Sequence, residues 1–338
     1  MKKPVRALIL CALLLCALWP VLPVSAEGSL PPLINTPSPR AGDTGSDAPA
    51  AEEAEELPAE PQESEPEPLL RIHQIDIGCA DAYLLTVDGI VILVDCGSDT
   101  MLPISGGYHN YQLLEYLEAS GIDHVDAHFV THWHNDHCYN VNVLGELYGT
   151  ADTVVYGTSP ELFPELSPLA AGTYRQLKDG DQLTIGPLDI LCVGPPYREN
   201  IAGTTNGDSL NFIVTYGHVR TLFTGDFILT SILKRWRNEI TDLDILSFPH
   251  HGIGLNEQSP DVYRVISPRL VFIPSHEGWK VRDWAVNTVL SKQDAVFCSS
   301  RSGHALATTD GENIWYSTGV APGETPLGTL LPPRGAKK

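Results

Sequence analysis

The sequence predicts an α/β protein in which two β-sheets pack face to face with helices outside them, a four-layer αββα sandwich. Three observations predict this class. Strand-like apolar runs occur in sets that suit antiparallel pairing, and helical segments separate the sets. Hydrophobic residues make up 43% of the chain, enough to bury a large core. No internal repeat of about 20 to 50 residues is present, which argues against a solenoid or a propeller.

The N-terminus, residues 1–26, has the layout of a secretory signal peptide. Lys2, Lys3 and Arg6 form a basic start, an apolar run follows, and small residues precede a cleavage site after Ala26. The apolar run is short for a spanning helix, which needs about 20 residues. We therefore expect a secreted or cell-surface protein, with an uncleaved N-terminal membrane anchor as the alternative.

Residues 27–68 differ in composition from the rest of the chain. They contain eleven Asp or Glu residues, one Arg, nine Pro and no aromatic residue. Such a segment cannot bury enough apolar surface to offset the entropy lost on ordering. It is predicted to be a disordered acidic linker.

The acidity of the chain excludes one class of protein. The formal net charge is −21, of which the signal peptide contributes +3 and the linker −10, so −14 remains from Leu69 onward. A protein that grips nucleic acid through a broad basic surface has the opposite balance. A small, locally positive site remains compatible with this charge.

The folded part is predicted to span residues 69–320, followed by a disordered Pro/Gly-rich tail, 321–338. The run 90–94 is continuously apolar, as in a strand buried on both faces, and Asp88-Gly89 predicts the turn before it. Gly121 is expected to end the first helix. The predicted strands are 70–77, 82–87, 90–94, 127–130, 153–156, 188–193, 210–216, 220–223, 243–248, 270–273, 295–298, 305–308 and 313–317. The predicted helices are 110–120, 138–148, 228–237, 260–266 and 283–290.

The strongest functional signal is an H-x-H-x-D-H string directly after an apolar strand. In an extended loop His132 and His134 point the same way, because alternate side chains share a face. Asp136 and His137 then begin the next helix and can face a second point. Neutral imidazole and carboxylate suit Zn²⁺ and similar divalent ions. These four residues are predicted to bind metal.

Two later loops place similar groups after strands. Asp226 ends a T-G-D sequence, and His250 and His251 follow a buried strand. A carboxylate such as Asp226 could bridge two metal ions about 3.5–4 Å apart, the spacing of two-metal hydrolytic sites. Of the two histidines, we expect His250 to be a metal ligand and His251 to contact the substrate phosphate.

These motifs together resemble the metallo-β-lactamase fold superfamily, and within it the ComEC-like branch of stand-alone hydrolases. The opening IDIGCADA (75–82) is similar to the DVGQGDA of that branch, and VDCG (94–97) to its IDGG. NGDSL (206–210) resembles its N-x-x-S-L strand, and DILSFPHHG (244–252) its D-x-L-K-x-x-H-H-G. The resemblance covers roughly residues 70–318.

The resemblance implies an αββα sandwich and a hydrolase with two divalent metal ions, zinc or alternatively manganese. The chain departs from the superfamily pattern in one ligand, since no histidine occurs from 138 to 217 to serve as the third ligand of the first metal. Asp208 is the expected substitute, with Asn206 behind it. His304 could stand in for a late substrate-side histidine of the branch.

Two further carboxylates keep two interpretations each. Asp81 could orient a metal ligand, or it could cap a helix or a turn. Asp95 could orient a metal ligand, or it could stabilise a loop.

The sequence thus predicts a secreted metal-dependent hydrolase of phosphodiester or phosphoester substrates, in which Asp136 also orients the attacking hydroxide. The expected substrate is a small molecule or a nucleotide-type phosphoester, with nucleic acid as a further candidate, and the protein is expected to be a monomer. The alternatives are a small-molecule hydrolase of the same fold (phosphorylcholine esterase, lactonase or β-lactamase) and a non-catalytic surface-binding module.

Overall fold

Two mixed β-sheets dominate the computed structural model, which describes residues 68–98, 109–160, 173–196, 201–227, 229–252, 260–275, 296–299 and 303–335. The predicted signal peptide, the linker up to residue 67 and the predicted helix 283–290 lie outside these ranges. The two sheets agree with the predicted α/β sandwich.

The first sheet has the strand order β16-β15-β14-β1-β2-β3-β4-β5-β6. Its neighbours pair antiparallel from β16 to β3 and parallel from β3 to β6. The strands are β1 (Leu70–Gln74), β2 (Tyr83–Val87), β3 (Ile90–Val94), β4 (Ala127–Phe129), β5 (Val154–Gly157), β6 (Thr173–Gln176), β14 (Ala305–Thr309), β15 (Ile314–Thr318) and β16 (Thr329–Leu330).

The second sheet has the order β13-β12-β11-β10-β9-β8-β7, and its strand pairing also changes from antiparallel to parallel. Pairing is antiparallel from β7 to β10 and parallel from β10 to β13. The strands are β7 (Gln182–Ile185), β8 (Leu188–Gly194), β9 (Asn211–Tyr216), β10 (Val219–Phe223), β11 (Ile245–Ser247), β12 (Leu270–Ile273) and β13 (Val296–Ser299).

The described helices are short and lie between strands. They are α1 (Gln112–Ala119), α2 (Asn135–Cys138), α3 (Val141–Tyr148), α4 (Leu233–Trp236) and α5 (Pro260–Ile266). The inner side of α1 is apolar, since Leu113, Leu114 and Leu117 are buried. None of the described helices is long and apolar enough to cross a membrane.

Aromatic side chains pack the two sheets together. Phe129 on β4 stacks on Phe212 of β9 with 4.7 Å between ring centroids, and Phe212 stacks on Phe223 of β10 at 5.2 Å. Tyr83 on β2 meets the same Phe223 edge to face at 5.4 Å. All four rings are buried. This layer joins the strands that precede the polar loops, so it fixes those loops relative to each other.

Several predicted elements need correction. The helix expected over 138–148 is α3, which begins at Val141, and the separate single turn α2 (Asn135–Cys138) precedes it. The helix expected over 228–237 is a 3₁₀ turn (Leu229–Ser231) followed by the single turn α4. Strands β6 and β7 were missed because each shows only half-buried and exposed residues. Such short strands carry little apolar signal.

The expected disorder of the tail 321–338 is contradicted over 321–335. Strand β16 pairs with β15, and Leu331 is buried in the core between the sheets. Arg334 donates to the carbonyl oxygen of Leu243 and to that of Ser267. Proline and glycine suggested a disordered segment, but side-chain burial and hydrogen bonds to the rest of the fold order it.

Candidate metal centre

The polar loops meet beyond the carboxyl ends of four strands. In the first sheet these are the parallel neighbours β3 and β4, which lead to Asp95 and to the H-x-H-x-D-H loop. In the second sheet they are the parallel neighbours β10 and β11, which lead to Asp226 and to the two adjacent histidines. Carboxyl ends of parallel strands share one edge of a sheet, so the loops converge.

The H-x-H-x-D-H loop divides its side chains between two points, as its spacing predicts. His134 precedes α2 in extended backbone (φ −82°, ψ 150°), and its Nδ1 lies 2.9 Å from Nε2 of His132. The turn of α2 then carries Asp136 and His137 to the other side.

One glycine makes the close approach of α2 possible. A Cβ on Gly97 would lie 1.8 Å from the backbone oxygen of Asp136. Only glycine fits at this position.

The larger group of donor atoms, all within 4.8 Å of one another, belongs to Asp136, His137, Asp226 and His251. Nε2 of His137 is 3.1 Å from Oδ1 of Asp226. Nε2 of His251 is 3.6 Å from the same oxygen and 3.3 Å from Oδ2 of Asp136. We call this group the second position.

A smaller group is formed by His132, His134 and Asp226, again within 4.8 Å. Here Oδ2 of Asp226 faces Nε2 of His132 at 3.8 Å. We call this group the first position. The two oxygens of Asp226 therefore face different groups, which is the arrangement that a carboxylate bridging two metal ions needs.

Two buried atoms of the second position support a cation there. Nε2 of His137 and Oδ1 of Asp226 are fully buried; they face each other at 3.1 Å without hydrogen-bond geometry, and no other described group forms a hydrogen bond with either atom. A buried polar atom without a partner costs free energy unless something else satisfies it. The donor set is imidazole and carboxylate, so a divalent ion such as Zn²⁺ fits this cluster.

The same cluster has strongly displaced pKa values. Burial alone would lower the pKa of His137 and that of His251, but the carboxylate of Asp226 helps to raise both well above the ordinary histidine value. Burial would raise the pKa of Asp226, but His137 and His251 hold it well below its usual range. The carboxylates therefore create a negative potential that protons satisfy in the absence of metal and that a metal cation can satisfy instead.

Two carboxylates contact the Nδ1 atoms of the second-position histidines, on the side of each ring away from the cluster. Oδ2 of Asp95 is 2.8 Å from Nδ1 of His137, and Oδ1 of Asp81 is 3.2 Å from Nδ1 of His251. Each contact leaves Nε2 of the imidazole facing the cluster, as in carboxylate–histidine–metal triads. Of the two interpretations that the sequence left for Asp81 and Asp95, the orienting role agrees with these contacts.

The adjacent histidines take the opposite places from those expected. His251 is buried within the second position, whereas the side chain of His250 is 36% exposed and lies outside both groups. Nε2 of His250 is 3.7 Å from Oδ2 of Asp226 and 3.3 Å from the amide nitrogen of Asn206. Both histidines have left-handed backbone, with φ of 52° and 51°. Sequence spacing alone does not reveal this turn, which reverses the assignment.

Asp208 is not brought into either group of donors. It ends a 3₁₀ turn, where its carboxylate accepts a hydrogen bond from the hydroxyl of Thr205 at 3.0 Å. The suggested role of His304 is also unsupported, because its Nδ1 accepts the backbone N–H of Asp76 and its ring packs on Tyr116. The expected third ligand of the first position is therefore not found among the described residues.

Comparison with known proteins agrees with this geometry. The model of the family described as the metallo-beta-lactamase superfamily matches residues 78–276. The chain belongs to this superfamily. The matched range includes every strand that leads into the site, and the cluster agrees with the two-metal centre of the superfamily. We conclude that the protein is a metal-binding hydrolase of this superfamily.

Several solved structures are similar to the chain at low sequence identity. YhfI from Bacillus subtilis has 16% identity and a TM-score of 0.48, covering 73% of this chain and 100% of its own. Igni18, a metallo hydrolase from Ignicoccus hospitalis, has 16% identity and a TM-score of 0.48, covering 71% and 98%. CmlA, a diiron β-hydroxylase from Streptomyces venezuelae, has 15% identity and a TM-score of 0.44, covering 69% and 53%. No curated protein matches the chain.

Proposed function

We propose that the protein is a metal-dependent hydrolase of phosphodiester or phosphoester substrates, of the ComEC-like branch, with two divalent ions. The observation that carries the proposal is the position of Asp226, whose two oxygens face two separate groups of donors. The ions are expected to be zinc, with manganese as the alternative, since imidazole and carboxylate ligands suit both. Two such ions lower the pKa of water and stabilise negative charge on an oxyanion.

Asp136 is the residue best placed to act on the attacking water. Its Oδ2 lies 3.3 Å from His251, and its side chain is partly exposed, whereas that of Asp226 is buried. Burial would raise the pKa of Asp136, but His251 and His137 lower it below its usual range. Asp136 is thus ionised at neutral pH and can accept a hydrogen bond that orients a nucleophile.

His250 and Asn206 line the exposed side of the cluster. The amide nitrogen of Asn206 lies 3.3 Å from Nε2 of His250, which in turn lies 3.7 Å from Oδ2 of Asp226. We propose that this pair contacts the substrate phosphate, the role that the sequence suggested for His251. A phosphate oxygen is a strong acceptor for such donors.

The charge of the chain favours a small or nucleotide-type phosphoester over a long nucleic acid. A net charge of −14 from Leu69 onward offers no broad basic surface for a phosphate backbone. Local capture of one phosphate by the metal centre needs no such surface. A monomer suffices for this activity, since every donor in the cluster belongs to one chain.

A substrate panel tests the proposed reaction. The zinc-loaded full chain is assayed with bis(4-nitrophenyl) phosphate, single-stranded DNA, a cyclic dinucleotide, phosphorylcholine, a lactone and nitrocefin. We expect hydrolysis of a phosphoester that chelation abolishes. Asp136→Ala and His134→Ala should lose it, whereas His218→Ala, at an 84% exposed histidine remote from the site, should not. Hydrolysis of only the lactone or nitrocefin would contradict the proposal, as would wild-type rates in Asp136→Ala.

We propose secretion with cleavage after Ala26, on the strength of the basic start, the apolar run and the small residues before that position. The test is mass spectrometry of the protein recovered outside bacterial cells that express the full chain. A mature N-terminus at Glu27 is expected. An intact N-terminus in the membrane fraction would support the anchor instead.

A further inference from the structure

The two groups of donors differ in size. The second position has four protein donors and the first position three, with Asp226 counted in both. No fourth described residue joins the first group. A metal site with fewer protein ligands depends more on water or substrate to complete its coordination. The number of donors alone therefore favours tighter metal binding at the second position.

The groups that contact the other ring nitrogen of each histidine also favour tighter metal binding at the second position. In the second position the buried carboxylates of Asp95 and Asp81 contact the two imidazoles. In the first position Nδ1 of His132 meets the hydroxyl of Ser209 at 3.2 Å, and Nε2 of His134 meets the carbonyl oxygen of Thr204 at 3.0 Å. A carboxylate behind a ligand makes the imidazole more basic than a hydroxyl does.

Negative charge is also concentrated on one side. Asp136 and Asp226 are donors in the second position, and Asp81 and Asp95 lie directly behind it, which places four carboxylates around one point. Among the residues that the structure describes, the first group contains one carboxylate, that of Asp226. The second position therefore attracts a divalent cation more strongly than the first position does.

We propose that the two positions fill in sequence: the position of Asp136, His137, Asp226 and His251 binds metal tightly, and the position of His132 and His134 fills only at higher metal concentration. The proposal rests on the proposed two-ion function and adds a regulation to it. Metal availability then determines whether the protein carries one ion or two. Since carboxylates behind ligands change metal affinity 10–100-fold each, two of them set a difference of at least about 100-fold.

A binding titration tests this without a substrate. The metal-free full chain is titrated with Zn²⁺ in chelator-buffered solution, and bound zinc and the melting temperature are measured at each free concentration. We expect two steps separated by at least about 100-fold. The first step should give most of the rise in melting temperature, because the stabilisation by a ligand grows with the logarithm of the ratio of its free concentration to its Kd.

Matched histidine variants assign the steps. His134→Asn should remove the second step and leave the first unchanged, whereas His251→Asn should remove the first. Asp136→Asn, at a partly exposed side chain, provides a second variant of the tight position if His251→Asn fails to fold. His218→Asn, an exposed surface histidine, is the control and should leave both steps unchanged.

Two results would overturn the proposal: uptake of two equivalents in one step by the wild type, and loss of the first step in His134→Asn. The result does not depend on the proposed reaction. A chain that fills in two steps yet hydrolyses no phosphoester would sustain the order of filling while refuting the function.

Discussion

At the residue scale, Asp95 has three contacts at once. Its carboxylate accepts the backbone N–H of Thr131 at 2.7 Å and the hydroxyl of Thr131 at 2.8 Å, and it lies 2.8 Å from Nδ1 of His137. Its own backbone is left-handed, with φ of 55°. A non-glycine residue held in this conformation is typical of functional sites, where the surrounding structure enforces it. Asp95 thus ties the loop after β3 to the loop that carries the ligands.

We predict that Asp95→Asn weakens zinc binding 10–100-fold with little change in fold. The new amide can still accept from Thr131, but its NH₂ group cannot accept the Nδ1 proton of His137. Isothermal titration with Zn²⁺ measures the loss, and circular dichroism checks the fold. Asp152→Asn, at an exposed turn, is the matched control. Unchanged affinity in Asp95→Asn would contradict the orienting role.

Buried histidines outside the site make stability depend on pH. Burial lowers the pKa of His128 to about 4, and burial together with Arg71 and His304 lowers that of His73 to about 4. Both are neutral in the folded protein. The unfolded chain takes up protons from about pH 6.5 downward, so it is favoured as the pH falls. Their stabilising effect is complete above pH 6.5 and declines toward pH 4.

We predict that the neutral forms of His73 and His128 each contribute about 3 kcal/mol to the unfolding free energy of the metal-free protein, and that this contribution is lost as the pH falls from 6.5 to 4. Urea unfolding at pH 7.0, 5.5 and 4.5 measures this for the wild type and for His128→Leu. The variant should show a shallower pH dependence, because it cannot take up that proton on unfolding. His218→Leu, at an exposed histidine, is the control. Equal slopes for His128→Leu and the wild type would refute the burial argument.

Sequence reasoning predicted the placement of those candidate ligands that are close together in the chain. His132, His134, Asp136 and His137 share one loop, so alternation and one helical turn suffice to divide them between two points. It failed where placement depends on distant backbone. The exchange of His250 and His251 follows from two left-handed residues, and the exclusion of Asp208 follows from a 3₁₀ turn. Neither conformation has a strong signal in residue type.

At the element scale, the C-terminal segment that contains β16, Leu331 and Arg334 packs against the rest of the fold. Arg269 donates to the carbonyl oxygen of Pro332 and contacts the carboxylate of Asp244, which Arg334 also approaches. Leu331 is 3% exposed within the main core, whereas its neighbour Leu330 is 51% exposed. The segment is therefore part of the hydrophobic core although its composition is typical of a tail.

This contrast between neighbours gives a matched pair of variants. We predict that Leu331→Ala lowers the unfolding free energy by about 2–4 kcal/mol, because it removes buried methyl groups and leaves a cavity. Leu330→Ala should change it by less than about 0.5 kcal/mol, as is usual for exposed positions. Denaturant unfolding measures both. Equal effects of the two substitutions would show that the C-terminal segment does not pack as described.

The strands that sequence analysis found and missed differ in burial. β3, β4, β11 and β12 are almost wholly buried, and their apolar runs stand out in the sequence. The edge strands β6, β7 and β16 are exposed or half-buried. Their structure depends on pairing with β5, β8 and β15, and not on their own apolar pattern.

At the scale of the whole molecule, each sheet changes from antiparallel to parallel pairing at one strand. That strand is β3 in the first sheet and β10 in the second, and the loops after them carry Asp95 and Asp226. The fold thereby brings ligands from both sheets to one cluster, which no single sheet could assemble.

The charge of the whole chain takes its meaning from this architecture. A formal net charge of −21 argues against a broad nucleic-acid surface, yet four of the acidic residues surround the second position. Two divalent ions would add +4 at that point. An acidic protein can therefore present a locally positive site to a phosphoester.

We propose that the cluster would hold two divalent ions, one at each group of donors that Asp226 faces. The most direct measurement is an anomalous difference map, recorded at the zinc absorption edge from crystals of the full chain grown in excess zinc. We predict two peaks on either side of the Asp226 carboxylate, one next to His137 and His251 and the other next to His132 and His134. A map with no peak at the cluster, or with peaks only elsewhere on the protein, would contradict the account.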